Sequence, residues 1–108
     1  MKRTVIELES KDNEKISEMI QQILISKGFK QTTFKEEEVW KKGNDMIQPA
    51  KHFRYYFKGD KVILEGFVTN FGRESGLNGF IGAIPKRGVK KLLKEVEEKV
   101  NEFNRQYQ

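Results

Sequence analysis

The chain has no cysteine, a single histidine, two prolines and no long apolar run. Without cysteine there is no disulfide framework, no thiolate metal site and no cysteine nucleophile. His52 alone does not make a zinc or iron site, which needs further His or Cys ligands. The run Glu36, Glu37, Glu38 offers carboxylates to a hard metal, but neighbouring residues on a strand point to opposite faces and do not converge on one ion. A solvated acidic strand edge accounts for them, and neither metal nor cofactor is expected. None of Ser10, Ser17, Ser26 and Ser75 lies in a G-x-S-x-G context, so acyl transfer has no support. The first 25 residues carry Glu7, Glu9, Asp12, Glu14 and Glu18, unlike a signal peptide or a membrane span. A cytoplasmic protein with no membrane partner is the expectation.

What is present suits one small domain covering all 108 residues. Apolar residues make up 36% and charged residues 34%, a lean supply for a core, yet 8 Phe, 3 Tyr and 1 Trp with clear periodicity argue for a folded chain. Lysine and arginine outnumber acids by 21 to 16. The net charge of +5 permits weak attraction to anions without demanding nucleic acid.

Alternation over residues 3–9 predicts a strand with Thr4, Ile6 and Leu8 on one side. Ser10 stands where an N-cap would, with Asp12 and Glu14 in the first turn, and Ile16, Met19, Ile20, Ile23 and Leu24 recur at helical spacing up to a left-handed cap at Gly28. Lys30 to Lys42 suggests one edge strand or a bulged pair. Between Lys51 and Phe71, Gly59-Asp60 splits two alternating runs into a hairpin. Setting Lys58 against Lys61 puts Phe53, Tyr55, Phe57, Val62 and Leu64 on the core face, and Arg54, Tyr56, Ile63 and Glu65 on the other. A glycine-rich segment follows, with room for a short strand near Leu77 to Ala83, and Pro85 opens a helix whose stripe is Val89, Leu92, Leu93, Val96, Val100 and Phe103. The expected fold is α+β: a two-layer sandwich of an antiparallel sheet of four to five strands, with two helices on one face, in the order β-α-β-β-β-α.

The start of that last helix is the candidate site. Lys86, Arg87, Lys90 and Lys91 crowd its first turns after Gly82, opposing the helix dipole, while Glu95, Glu97, Glu98 and Glu102 come later. Two basic rows beside amides that follow Pro85 would suit an anion; a plain lysine-rich surface explains the same residues. Trp40 and Phe80 mark a pocket between sheet and helices. His52, Tyr56 and Phe67 make the second sheet face more apolar than a solvated one, which a dimer contact or cover by the glycine-rich segment explains. The segment matches neither a Walker loop nor a G-x-G-x-x-G turn, and the RNP signature of RNA-binding sheets is missing.

Leu77-Asn78-Gly79-Phe80-Ile81-Gly82-Ala83-Ile84-Pro85-Lys86-Arg87, with Glu38-Val39-Trp40-Lys41-Lys42-Gly43, resembles a small uncharacterised bacterial domain sometimes joined to a zinc ribbon, whose cysteines are missing here. The resemblance implies a stand-alone domain and carries over no functional residue. Three functions follow as expectations: a non-enzymatic binding module for an anionic ligand or protein, a small-ligand-binding protein or enzyme, and a nucleic-acid-binding domain. Monomer and homodimer are both compatible with the sequence.

Overall fold

A computed structural model of the protein describes residues 3–43, 49–70, 72–75, 77 and 83–107. The elements run β1 (Thr4–Glu9), α1 (Asn13–Ser26), β2 (Lys30–Phe34), β3 (Glu37–Lys42), β4 (Ala50–Lys58), β5 (Lys61–Asn70), β6 (Arg73–Ser75) and α2 (Ala83–Gln106). All strands pair antiparallel in one sheet of order β1-β5-β4-β3-β2, with β6 continuing the β1 side of β5. Both helices cover one face, so the α+β sandwich holds.

The β4–β5 hairpin adopts the register that alternation dictates. Lys58 pairs with Lys61, Phe57 with Val62, Tyr55 with Leu64 and Phe53 with Gly66. Gly59 takes φ +56° at the first turn position, where a two-residue turn matching the strand twist needs a left-handed residue. Phe53, Val62, Leu64 and Val68 meet Ile16, Ile20 and Leu24 of α1 and Val89, Leu92, Leu93, Val96 and Val100 of α2 in one core. Gly66 lies beneath α2, and its missing side chain is what lets Leu93 and Val89 come down onto the sheet.

α1 ends at Gly28 with φ +86°. The Gly28 amide donates to the Ile25 carbonyl and the Phe29 amide to that of Leu24, both at 3.0 Å, and buried Phe29 folds back beside Leu24. The helix start differs from expectation. Asp12, not Ser10, is the N-cap, its carboxylate accepting from the Lys15 amide at 3.1 Å. Ser10 is instead buried at the end of β1, its amide donating to the Asp60 carbonyl at 2.7 Å and its hydroxyl to Asn13 Oδ1. Asn104 near the end of α2 secures the same corner, accepting from the Lys11 amide at 3.1 Å and donating to the Glu9 carbonyl at 2.7 Å.

Of the two readings of residues 30–42, a single strand or a pair, the pair is found, and with β6 the described residues hold six strands. The hairpin turns on Lys35 (φ +50°) and Glu36 (φ +67°), two left-handed residues without a glycine or asparagine. A short strand that was not anticipated, β6, lies at Arg73–Ser75, whereas the one anticipated near Leu77 to Ala83 falls on a segment whose residues 78–82 lie outside those described.

Folding of the β2–β3 hairpin tip over the second sheet face explains why β5 is buried on both sides from Val62 to Thr69. Phe34 lies 5.2 Å from His52 and 5.7 Å from Phe67, ring centre to ring centre, and His52 stacks on Phe67 at 4.8 Å. Arg3 covers Phe67 at 4.2 Å and binds Glu37 of β3 at 2.8 Å, Glu65 of β5 at 3.0 Å and Glu74 of β6 at 3.0 Å. Arg54 reaches Glu65 at 3.3 Å and Glu37 at 3.4 Å, and Lys35 reaches Glu74 at 3.3 Å. These pairs tie the curled edges of the sheet together over its centre.

Candidate functional site

The end of the domain where α1 stops, β3 stops and β4 begins is built from lysines. Lys42, last in β3, pairs across the strands with Lys51, second in β4, on the helix side of the sheet. Like charges facing each other across a sheet are unfavourable. Lys42 Nζ swings to the end of α1 and donates to the Lys27 carbonyl at 2.7 Å, capping a helix C-terminus with a cation. The stem of Lys51 runs the other way, over the bare backbone of Gly88 in α2, where a β-carbon would stand 2.9 Å from Lys51 Nζ.

Between them opens a cleft of about 360 Å³, with buried Phe29 and Leu92 among its lining and Lys27, Lys42, Lys51 and Lys91 around it. The single carboxylate among its described lining, Glu95, sits one turn beyond Lys91 and is bridged to Lys27 at 3.0 Å. Lys51 and Lys91 have no ion-pair partner among the described residues. A second cleft of about 360 Å³ adjoins the first through Lys42 and Gly28, and is lined by Lys30, Thr32, Lys41 and Gly43. There Lys30 pairs directly with Lys41, another like-charged couple.

Of the residues singled out at the helix start, only Lys91 lines this cleft. Arg87 and Lys90 are exposed on α2 outside it. Lys86 is corrected: at 4% exposure it lies on the buried stripe, one turn before Val89, and does not form an outer basic row. The amides after Pro85 are also unsuited to a ligand. Ala83 is the first helical residue, so from Arg87 onward each amide bonds to the carbonyl four residues back within the helix. Gly82 and Phe80 lie outside the described residues.

Trp40, at 9% exposure, borders a smaller groove of about 240 Å³ between α1 and the sheet, shared with Tyr56. Its polar groups largely satisfy one another: the Tyr55 hydroxyl lies 2.8 Å from Ser17 Oγ and accepts from Gln21 Nε2 at 3.0 Å. His52 and Phe67 are buried by the chain's own Phe34 and Arg3 and present no surface to a second copy. Tyr56 is half-buried beneath Arg54, whose guanidinium sits 4.4 Å from its ring. The three glutamates of the acidic run diverge, Glu36 into the turn, Glu37 to the two arginines and Glu38 to Gln31. Among the described residues no His, Asp and Glu side chains gather into a metal site, and no helix is long and apolar enough to cross a membrane.

Hydrogen bonding to Glu74 leads the effects that raise the Arg3 guanidinium above its ordinary pKa, with burial opposing. The bond from Arg3 likewise holds the Glu74 carboxyl below the usual carboxylate range. This network is internally compensated, whereas the lysine-lined cleft is not compensated by the described residues. Reading the helix-start charges alone missed Lys27, Lys42 and Lys51; the available signal was lysine at the end of one strand and the start of the next, flanking the loop that holds Pro49. No family model, curated protein or solved structure matches the chain. The site therefore stands on its own geometry.

Proposed function

We propose that the protein is a non-enzymatic binding module that takes an anionic partner in the cleft between Lys51 and Lys91. The observation that supports this most directly is the cross-strand Lys42–Lys51 pair facing Lys91, over a cleft where the only carboxylate among the described residues is already bridged to Lys27. An unliganded cluster of this kind works against itself. An anion between the ammonium groups turns that repulsion into charge-assisted hydrogen bonds. The lysines supply point charges on flexible stems, which suits phosphate or carboxylate groups without strict orientation.

The test is a titration of the isotopically labelled protein with inorganic pyrophosphate at low salt, followed by backbone amide chemical shifts. Changes should centre on residues 26–29, 42, 51 and 88–95. Lys51→Glu with Lys91→Glu should remove them while the dispersion of the remaining spectrum is retained, since neither side chain belongs to the core. A wild-type spectrum indifferent to pyrophosphate would show that these lysines are only a solvated surface.

A further inference from the structure

The sheet opens into a fork, and we propose that the strand edge inside it receives an extended, basic segment of a partner protein. β3 and β4 pair only through Trp40–Phe53, Lys41–His52 and Lys42–Lys51. Beyond Trp40 the β2–β3 hairpin curls over the second sheet face, where Glu37 binds Arg3 and Arg54, while β4 continues beside β5 to Lys58. Arg54 to Lys58 therefore have a strand on one side only. Hairpin parity fixes which groups face the gap. In a two-residue hairpin the closing pair, Lys58 with Lys61, exchanges both hydrogen bonds, and Tyr56 with Ile63 and Arg54 with Glu65 follow in alternation. Tyr55 and Phe57 thus turn their N–H and C=O groups away from β5, with no strand opposite. Such an edge is a template for another chain. The outer strands blunt theirs with charge, Lys30 in β2 and Glu7 and Glu9 in β1. Tyr55, Tyr56 and Phe57 carry none.

The gap is the groove of about 240 Å³ bordered by Trp40, and it shares no described lining residue with the lysine cleft. Its charge selects the occupant. Glu38 is the sole charged residue among the described lining; it is exposed and accepts from the neutral Gln31 amide at 3.4 Å. Ser17 and Gln21 form the α1 wall, and the exposed Glu14 and Glu18 make the neighbouring row of that helix. None of these three glutamates has an ion-pair partner among the described residues. On a chain of net charge +5 this groove is locally acidic. A strand laid against β4 places alternate side chains on the α1 face, opposite Tyr55 and Phe57, so lysine or arginine there meets the carboxylates. Main-chain pairing holds the segment, and the glutamates choose its sign.

Trp40 is the chain's one tryptophan and reports on the groove. The probe is the blocked peptide Ac-Thr-Lys-Val-Lys-Val-Lys-Thr-NH2, titrated into the full chain at low salt and followed by tryptophan fluorescence and amide chemical shifts. Changes should centre on residues 38–40 and 54–58 and leave 88–95 unmoved. Methylating the three lysine backbone nitrogens of the peptide keeps its charge but blocks the donors that face β4, and should weaken binding by about tenfold or more. A peptide with glutamate in place of each lysine should also bind about tenfold more weakly or worse. Glu38→Gln with Glu18→Gln should lower affinity for the lysine peptide about threefold or more with the fold intact, both side chains being exposed. Equal affinity for the N-methylated peptide would mean that a cation rests in an aromatic groove and no strand is added. Equal affinity for the glutamate peptide would overturn the basic partner. Self-association of the free chain that moves the amides of Tyr55 and Phe57 would assign the edge to a second copy instead. No response to the lysine peptide at millimolar concentration would show that the fork is closed to another chain.

Discussion

Gly66→Ala probes the closest approach of α2 to the sheet. A β-carbon at residue 66 would lie 2.7 Å from Leu93 Cδ1, 2.7 Å from Val89 Cγ1 and 3.1 Å from Leu93 Cγ. Carbon atoms rest about 3.5–4.0 Å apart, so the added methyl overlaps two buried side chains by roughly an ångström. Neither can yield freely, since Val89 is fully buried and Leu93 is 2% exposed. Overpacking of this kind costs about 1–3 kcal/mol, offset by about 0.4–1 kcal/mol from the stiffer unfolded chain. The expected net loss is about 1–2 kcal/mol, read in urea as a lower midpoint with an unchanged slope. Leu93→Ala alone should cost about 2–5 kcal/mol as a core truncation. Because shortening Leu93 vacates two of the three clashing positions, the double variant should be less damaged than the sum of the singles by about 1 kcal/mol or more. Strictly additive losses, or a Gly66→Ala protein as stable as the parent, would mean that α2 does not rest on residue 66 and that the core geometry given above is wrong.

Gly88→Ala meets only the flexible end of Lys51, so the gain in helix propensity should dominate, adding up to about 1 kcal/mol of stability, while displacement of Lys51 weakens the pyrophosphate response. Thermal unfolding and the amide titration check the two halves separately. Glu36→Gly relieves a left-handed φ of +67° and should stabilise by about 1 kcal/mol, raising Tm by about 4–8 °C; no change would indicate that the turn is not strained. Arg3→Met removes the shared partner of Glu37, Glu65 and Glu74 and should cost about 2–4 kcal/mol at neutral pH in denaturant unfolding. Glu74 titrates below its ordinary value when folded, so its contribution is complete above about pH 4.3, the unfolded value, and is lost as pH falls through the lowered folded value. The gap between wild type and Arg3→Met should therefore narrow in acid, and a gap constant from neutral pH into acid would refute that assignment.

Local chemistry alone determined several parts of this protein. The register of β4 against β5 follows from two alternating runs split by Gly59-Asp60, because a one-residue slip would expose every core side chain. The end of α1 at Gly28 and the stripe of α2 are equally local, one set by a left-handed glycine and the other by helical spacing. The Lys35–Glu36 turn was hidden because its residues carry no turn preference. Their left-handed conformation is maintained by contacts distant in sequence, including Lys35 with Glu74 and Phe34 over His52 and Phe67. The fold of that hairpin over the sheet also decided that His52 and Phe67 are core rather than surface, although their face was known from parity. Lys86 follows the same logic, since a lysine one turn before Val89 continues the stripe, and only the packing around α2 decides that it is buried. The cleft is the clearest product of tertiary structure. Lys27, Lys42, Lys51 and Lys91 come from four elements, and their convergence depends on β3 pairing with β4 and on α2 crossing the end of α1, long-range pairings that periodicity in a single segment does not encode.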